Sequence, residues 1–114
     1  MSLNIQGLIT KKKKITELKA MAIDQNVSII ALQETWLDAS HYESESFLRG
    51  FREYRSIRQD RIHGGASTYI SEELTVTNSD SFNNDYINLV MVEILELNMI
   101  IINAYRPPET KAHK

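Results

Sequence analysis

The chain has 114 residues, of which 42% are apolar, and its formal net charge is −2 at pH 7. This length allows one domain or part of one, and this apolar content is typical of a globular chain rather than a disordered one. The sequence contains no cysteine, which excludes a disulfide framework, a thiolate metal site and a cysteine nucleophile. We expect neither a signal peptide nor a membrane span, because the apolar runs are short.

The charges are distributed unevenly along the chain. Residues 1–26 carry five lysines and two acids, and residues 49–63 carry five arginines and two acids, so each segment has a net charge of +3. Residues 64–100 carry six acids and neither lysine nor arginine. The arginines recur every third residue, which on a strand would alternate between its two faces. Both an ordinary solvated surface and a basic face that contacts nucleic acid fit this pattern.

The first part of the chain predicts a strand, a helix and a second strand. Residues 2–8 alternate like a short strand, and residues 12–25 have apolar side chains at helical spacing. Residues 28–33 are almost entirely apolar, which is typical of a strand buried on both faces. A strand–helix–strand unit of this kind predicts that its two strands are parallel. Residues 36–50 predict a loop with one helical turn.

The second part of the chain predicts a series of strands. Gly64-Gly65 indicates a turn, and Leu97-Asn98 indicates a hairpin between the last two strands. The continuous apolar run Met99 to Ile102 predicts a buried strand, which Pro107-Pro108 would end because proline cannot donate to a sheet ladder. The candidate strands are residues 52–58, 65–70, 74–78, 86–96 and 99–105.

Polar side chains occur at the ends of three predicted strands. Asn4 lies on the first strand, Glu34 follows the second, and Tyr105 ends the last. The ends of neighbouring strands are where sites are often assembled. A carboxylate at the mouth of an apolar core must be solvated, paired or bound to a metal such as Mg²⁺. From the residues alone, a solvated Glu34, a packed Tyr105 and an edge or turn Asn4 are the more common arrangements, and a functional site remains the alternative.

Four short segments of the sequence carry a resemblance to a known family. In this order they resemble the endonuclease/exonuclease/phosphatase superfamily, and most closely the apurinic-type endonuclease domain of non-LTR retrotransposons. The resemblance covers residues 1–108 as the N-terminal part of such a domain and leaves 109–114 as a tail. The segments are Leu3-Asn4-Ile5-Gln6-Gly7-Leu8, Leu32-Gln33-Glu34-Thr35-Trp36-Leu37, Arg58-Gln59-Asp60-Arg61 before Gly64-Gly65, and Asn103-Ala104-Tyr105-Arg106-Pro107-Pro108.

The resemblance implies a fold and a set of site residues. The fold is α/β, the N-terminal half of a two-sheet α/β sandwich with four layers and a mixed sheet. Glu34 would bind the metal ion, Mg²⁺ or Mn²⁺, Asn4 would lie at the scissile phosphate, and Tyr105 would contact or polarise that phosphate. Arg61 and Arg106 would lie near the DNA-facing surface. DNA is the implied partner, and the location is intracellular, in the nucleus if the target is chromosomal DNA.

The sequence also departs from the family pattern. Gln6 stands where the family usually has an acid or an asparagine near the metal, and residues 65–70 are more polar than the family's strand. The family's later Gly-Asp-Phe-Asn and Ser-Asp-His motifs do not occur, and His41, His63 and His113 match no family catalytic position. The groups that activate water are therefore missing, so we expect this chain by itself to be inactive.

Three functions remain open from the sequence. The first is Mg²⁺-dependent hydrolysis of a DNA phosphodiester by a retrotransposon-type endonuclease domain, of which this chain is a fragment. The second is a noncatalytic remnant that binds nucleic acid or a protein partner, with self-association through exposed sheet edges. The third keeps the superfamily but changes the substrate to a phosphoinositide or another phosphoester; Arg106-Pro107-Pro108 argues against it by resemblance.

Overall fold

The two sheets and one helix are seen in a computed structural model, which describes residues 2–4, 12–33, 35, 47–56, 65–84 and 86–106. One sheet, sheet A, has four strands in the order β1-β2-β4-β3, and the other, sheet B, has three in the order β5-β6-β7. The elements are β1 Ser2–Asn4, α1 Lys12–Asp24, β2 Ile29–Gln33, β3 Phe51–Ser56, β4 Ala66–Ser71, β5 Val76–Asn83, β6 Asn88–Ile94 and β7 Met99–Tyr105.

The strand pairing confirms the predicted α/β class and the mixed sheet. β1 and β2 are parallel, as the strand–helix–strand unit predicted, and β2, β4 and β3 pair antiparallel. β5 is longer than the predicted strand 74–78 because it pairs along the whole of β6, with an irregularity between Val76 and Asn78. The predicted extension of the first strand to residue 8, and most of the predicted loop at 36–50, lie outside the described residues.

The helix covers one face of sheet A. Leu18 and Ala22 are four residues apart, so they lie on the same side of α1, and both are buried. They pack with Ile30, Leu32 and Tyr69 of the sheet. The helix is followed by Asn26 in the left-handed conformation, with φ of 51°. The apolar stripe predicted for the helix therefore packs on sheet A, and together they form the first of the two cores.

The other face of sheet A packs against sheet B. Val90, Val92 and Ile94 alternate along β6 with half-buried residues and are almost fully buried. They pack with Ala66 and Ile70 of β4 to form the second core. The described part of the chain is therefore three layers deep: α1, sheet A and sheet B. No helix among the described residues has the length and apolarity to cross a bilayer.

The prediction that Met99 to Ile102 is a buried strand is wrong for most of its side chains. Met99, Ile100 and Ile102 are 50%, 55% and 61% exposed, while Ile101 packs into the inter-sheet core. Ile100 and Ile102 point to the face opposite Ile101, and a continuous apolar run is buried throughout only where both faces of the strand are covered. Met99 is the first residue of β7, directly after the turn. No described residue covers the outer face of sheet B.

A hairpin joins β6 to β7 at the turn that Leu97-Asn98 predicted. Asn98 has φ of 50°, in the left-handed region that such turns require. The Glu96 carboxylate accepts hydrogen bonds from Thr75 N and Oγ1, both at 2.7 Å. The backbone and side-chain hydrogen bonds from Thr75 hold the pKa of Glu96 below its ordinary value. Their stabilising contribution is present at neutral pH and is lost as the pH falls through that lowered pKa.

Candidate functional site

Several strand ends meet at one end of the two-sheet sandwich, which we call the polar end. Asn4 at the end of β1 is in register with Gln33 at the end of β2, and Gln33 is opposite Ala66 at the start of β4. In sheet B, Tyr105 at the end of β7 is opposite Asn88 at the start of β6. The polar end is formed by Asn4, Gln33, Ser56, Asn88, Asn103 and Tyr105.

Asn103 joins the two sheets at the polar end. Its side chain is on the inner face of β7, only 3% exposed, and its Oδ1 accepts a 2.7 Å hydrogen bond from Gln33 Nε2. Its Nδ2 lies within hydrogen-bond distance of three acceptors in sheet A: Leu32 O at 3.1 Å, Ser67 O at 3.0 Å and Thr68 Oγ1 at 3.2 Å. One amide therefore holds β7 against the ends of both β2 and β4.

Asn88 makes a second connection between the sheets. It is fully buried, its Oδ1 accepts from Gly65 N at 3.2 Å, and its Nδ2 donates to Ser56 Oγ at 3.3 Å. Ser56 Oγ in turn donates to Phe82 O at 2.7 Å. Buried polar groups with partners of this kind keep strand ends in defined positions. The polar end is thus an ordered, hydrogen-bonded region between the sheets.

The polar character of β4, which departs from the family pattern, is explained by its partners. Ser67 and Thr68 are both fully buried. Thr68 contacts Asn103 on the inner face of sheet A. On the other face, Ser67 Oγ donates to Glu53 Oε2 at 2.8 Å, and the same oxygen is 2.9 Å from Arg55 Nε. Because each side chain has a hydrogen-bond partner, the strand remains compatible with a buried position.

The structure brings the backbones of two predicted catalytic residues to the polar end. Asn4 reaches it through its register with Gln33, although its side chain lies outside the described residues. Tyr105 is half-buried, packs against the inter-sheet core and is opposite Asn88. Both backbones therefore lie at the polar end, and the phosphate contacts that the resemblance implies for these two residues stay predictions.

Glu34, the predicted metal ligand, and Arg61 lie outside the described residues. Glu34 directly follows Gln33 and precedes Thr35, whose hydroxyl is fully buried and has no hydrogen-bond partner among the described residues. Arg106, the other predicted DNA contact, is exposed directly after Tyr105. Within the described ranges, no group of three or more His, Cys, Asp or Glu side chains could hold a metal ion.

Sequence reasoning did not identify Asn103, Gln33 and Asn88 as site residues. Asn103 belongs to the last of the four motif segments and directly follows the apolar run Ile100-Ile101-Ile102, at an inward position. An asparagine on the inner side of an apolar strand must find a hydrogen-bond partner. That local signal shows that such a partner exists, but it does not identify Gln33, which lies 70 residues earlier in the chain.

No protein-family model matches the chain, and no curated protein matches it. Solved structures do match. Truncated TDP2 from Caenorhabditis elegans aligns over 98% of this chain and 46% of its own length, with 17% identity and a TM-score of 0.63. The 3′ phosphatase NExo from Neisseria, bound to a product DNA hairpin, aligns over 91% and 39%, with 13% identity and a TM-score of 0.69.

The endonuclease domain of TRAS1, described as a telomere-specific non-LTR retrotransposon, also matches. It aligns over 92% of this chain and 42% of its own length, with 20% identity and a TM-score of 0.53. The chain thus spans less than half the length of each of these three structures. At these identities the likeness shows a shared fold.

We expect Asn103→Leu to lower the free energy of unfolding by about 1–3 kcal/mol, because buried polar atoms of β2 and β4 lose a hydrogen-bond partner. Asn78→Leu on the exposed strand β5 is the matched control and should change stability by less than about 0.5 kcal/mol. Urea denaturation followed by circular dichroism measures both. Equal effects of the two substitutions would contradict a special role for Asn103.

Proposed function

We propose, on the premise that the chain has the fold of the endonuclease/exonuclease/phosphatase superfamily, that it is the N-terminal part of a Mg²⁺-dependent DNA endonuclease domain of the retrotransposon reverse-transcriptase type. The observation that carries the proposal is the polar end. There Asn4, the last residue of β1, pairs with Gln33, the residue before Glu34. The Gln33 side chain donates a hydrogen bond to Asn103, which lies two residues before Tyr105 at the end of β7. The resemblance implies phosphate contacts for Asn4 and Tyr105 and the metal contact for Glu34, the residue after Gln33.

The chemistry of the polar end suits a hydrated divalent cation. Mg²⁺ often uses one or two protein carboxylates and keeps several waters. Glu34 would supply the carboxylate, because it directly follows Gln33, which lies at the polar end. When bound, the metal would neutralise charge on a substrate phosphate. Asn4 and Tyr105 would donate hydrogen bonds that orient the phosphate.

In the complete domain the reaction would be hydrolysis of a DNA phosphodiester, leaving a nick that can prime reverse transcription. This chain supplies groups that hold the phosphate, whereas the groups that activate water belong to the motifs absent from it. Positioning of nucleophile and leaving group together needs both sets. The chain alone is therefore inactive in this proposal.

Two further observations support DNA as the substrate and the retrotransposon branch in particular. One structural neighbour is bound to a product DNA hairpin, and another is the endonuclease domain of a non-LTR retrotransposon. Arg106 is exposed at the polar end and begins the Arg106-Pro107-Pro108 segment that resembles the same branch. Arg106 and Arg61 would contact DNA phosphates. Action on chromosomal DNA would place the protein in the nucleus.

A noncatalytic binding role is the second candidate. The observation that favours it is the apolar outer face of sheet B, which no described residue covers. β1, β3, β5 and β7 are the outer strands of their sheets in the described structure, so self-association through their edges also stays a proposal.

We expect Mn²⁺, used as a paramagnetic probe for the Mg²⁺ site, to broaden the amide NMR signals of Gln33, Asn103 and Tyr105. The signals of Ile29 and Ile94, at the opposite end of the sandwich, should remain sharp. Glu34→Gln should abolish the selective broadening, because it removes the carboxylate ligand.

Glu72→Gln, in the turn after β4 at that opposite end, is the matched control and should leave the Mn²⁺ effect unchanged. Broadening that persists in Glu34→Gln would place the metal on other ligands. This measurement needs no catalysis, so it separates a metal site from activity.

We expect the purified, folded chain not to nick supercoiled plasmid in Mg²⁺ above the level seen with chelator, because the water-activating groups are absent. Agarose gel electrophoresis of the plasmid, with Glu34→Gln alongside, measures this. Nicking that requires both Mg²⁺ and Glu34 would show that the chain is active alone, and it would support the nuclease assignment while contradicting the proposed inactivity.

We expect Arg106→Gln to weaken binding of a short DNA duplex, as for loss of one phosphate contact. The slope of the logarithm of the binding constant against the logarithm of the salt concentration should become shallower by about one unit. Fluorescence anisotropy at several salt concentrations measures both quantities. Arg49→Gln is the matched control, since Arg49 is exposed just before β3 at the end of the sandwich away from Arg106. Equal effects of both substitutions would indicate nonspecific attraction to positive charge.

A further inference from the structure

Tyr86 is an exposed aromatic residue in the turn that joins β5 to β6. Its side chain is 75% exposed. Hydrogen bonds hold the turn in place: Asn84 N donates to Ile87 O at 3.0 Å, and Asn84 Oδ1 accepts from the backbone N of Tyr86 at 2.7 Å and of Ile87 at 2.9 Å. None of these bonds involves the phenol ring of Tyr86. The turn therefore presents an aromatic ring to solvent from a defined backbone position.

The turn lies at the polar end, next to Arg106. Asn88, the first residue of β6, is opposite Tyr105, the last residue of β7. The turn ends at Ile87, directly before Asn88, and the exposed Arg106 directly follows Tyr105. The turn and Arg106 therefore continue from the same end of two neighbouring strands, which lie about 5 Å apart. An exposed aromatic ring and an exposed guanidinium thus flank the residue for which the proposed function implies a phosphate contact.

The four-layer fold does not account for the exposure of Tyr86. The outer layers of such a fold pack on the faces of its sheets, as α1 packs on sheet A. Phe82, which is 54% exposed, lies within β5 on the outer face of sheet B, which a layer of this kind would cover. Tyr86 instead lies in a turn beyond the paired strand ends. Its ring can therefore contact a ligand that approaches the polar end.

We propose that Tyr86 stacks on a nucleobase of single-stranded or locally unpaired DNA, while Arg106 contacts a neighbouring phosphate. The inference rests on the proposed function, which supplies DNA as the ligand. Aromatic side chains bind single strands of any sequence in this way, because every base has a π face. A base inside a duplex is already stacked on both sides, so its faces are closed to a tyrosine at a strand end. The polar end therefore prefers unpaired DNA to an intact duplex.

The contributions of the two side chains respond differently to salt. Arg106 neutralises a phosphate and releases a counterion, so its contribution falls as the salt concentration rises. The uncharged ring of Tyr86 releases no counterion, so its contribution stays nearly constant. Salt dependence therefore separates the stacking contact from the phosphate contact.

The test uses the full chain and a fluorescein-labelled DNA strand of about 12 nucleotides, alone or annealed to its complement. Fluorescence anisotropy measures Kd at several salt concentrations. Tyr86→Ala should raise Kd at least about fivefold for the single strand and less than about twofold for the duplex. Its salt slope should match that of the parent chain, whereas Arg106→Gln should make the slope shallower by about one unit.

Two further substitutions of Tyr86 separate stacking from other contacts. Tyr86→Phe keeps the ring and should leave Kd for the single strand within about twofold of the parent value. Tyr86→Leu keeps an apolar side chain without a π face and should bind like Tyr86→Ala. The NMR signals of the Tyr86 ring should shift upfield when the single strand is added, which is the ring-current signature of stacking.

Phe47→Ala is the matched control. Phe47 is 55% exposed and lies just before β3, at the end of the sandwich opposite the polar end, so Kd should stay within about twofold of the parent value. The hydrogen bonds of the turn use backbone atoms and Asn84, so the Tyr86 variants retain them. Amide NMR spectra establish that every variant is folded.

The outcomes separate this inference from the proposed function. No binding of the single strand by the parent chain, equal losses for single strand and duplex in Tyr86→Ala, or full binding by Tyr86→Leu would overturn stacking. A selective loss in Tyr86→Ala without Mn²⁺ broadening at the polar end supports stacking and contradicts the proposed metal site. Broadening that requires Glu34, together with unchanged binding by Tyr86→Ala, supports the metal site and overturns stacking.

Discussion

The side-chain amide of Asn103 is the interaction on which the arrangement of the polar end depends. It lies between two sheets whose strands have no backbone pairing with each other, and it satisfies polar atoms on both β2 and β4. Apolar packing helps to hold the sheets together, but by itself it would not define how their ends are aligned, because the hydrophobic effect has no direction. Hydrogen bonds do have direction, so Asn103 sets the position of Gln33 relative to β7.

The partners that the fold provides decide which charged residues can contribute to a site. Arg52 Nη2 donates to Leu74 O at 2.6 Å, and Arg55 pairs with Glu53, so two arginines of the regular spacing have partners within the fold. They lie on opposite faces of β3, as alternation along a strand requires. The sequence left open a basic face for nucleic acid, and these two arginines do not form one. Arg106, by contrast, is exposed at the polar end.

The two faces of sheet B differ in burial. Its inner face is buried against sheet A, and its outer face combines exposed apolar side chains with carboxylates. Isoleucine occurs on both faces of the same strands: Ile94 and Ile101 on the inner face, and Ile100 and Ile102 on the outer face. The presence of isoleucine therefore does not separate a buried face from an exposed one here, and the covering layer does.

The sequence by itself determined what depends on local spacing. The helix, predicted at 12–25 and found at Lys12–Asp24, the bounds of β7 and the hairpin turn at Leu97-Asn98 follow from periodicity and turn chemistry over a few residues. The motif order also indicated the superfamily fold, which the solved structures share. These features are local or are carried by residue identity, so they can be read along the chain.

Only the tertiary structure decided which faces are covered and which polar groups meet. Periodicity shows that Ile100 and Ile102 share a face, but whether that face is buried depends on a layer from elsewhere in the chain. Likewise Ser67 and Thr68 are tolerable in a buried strand because Glu53 and Asn103 reach them, and Gln33 finds Asn103 across 70 residues. Such contacts arise from the stacking of two sheets, which no local pattern encodes.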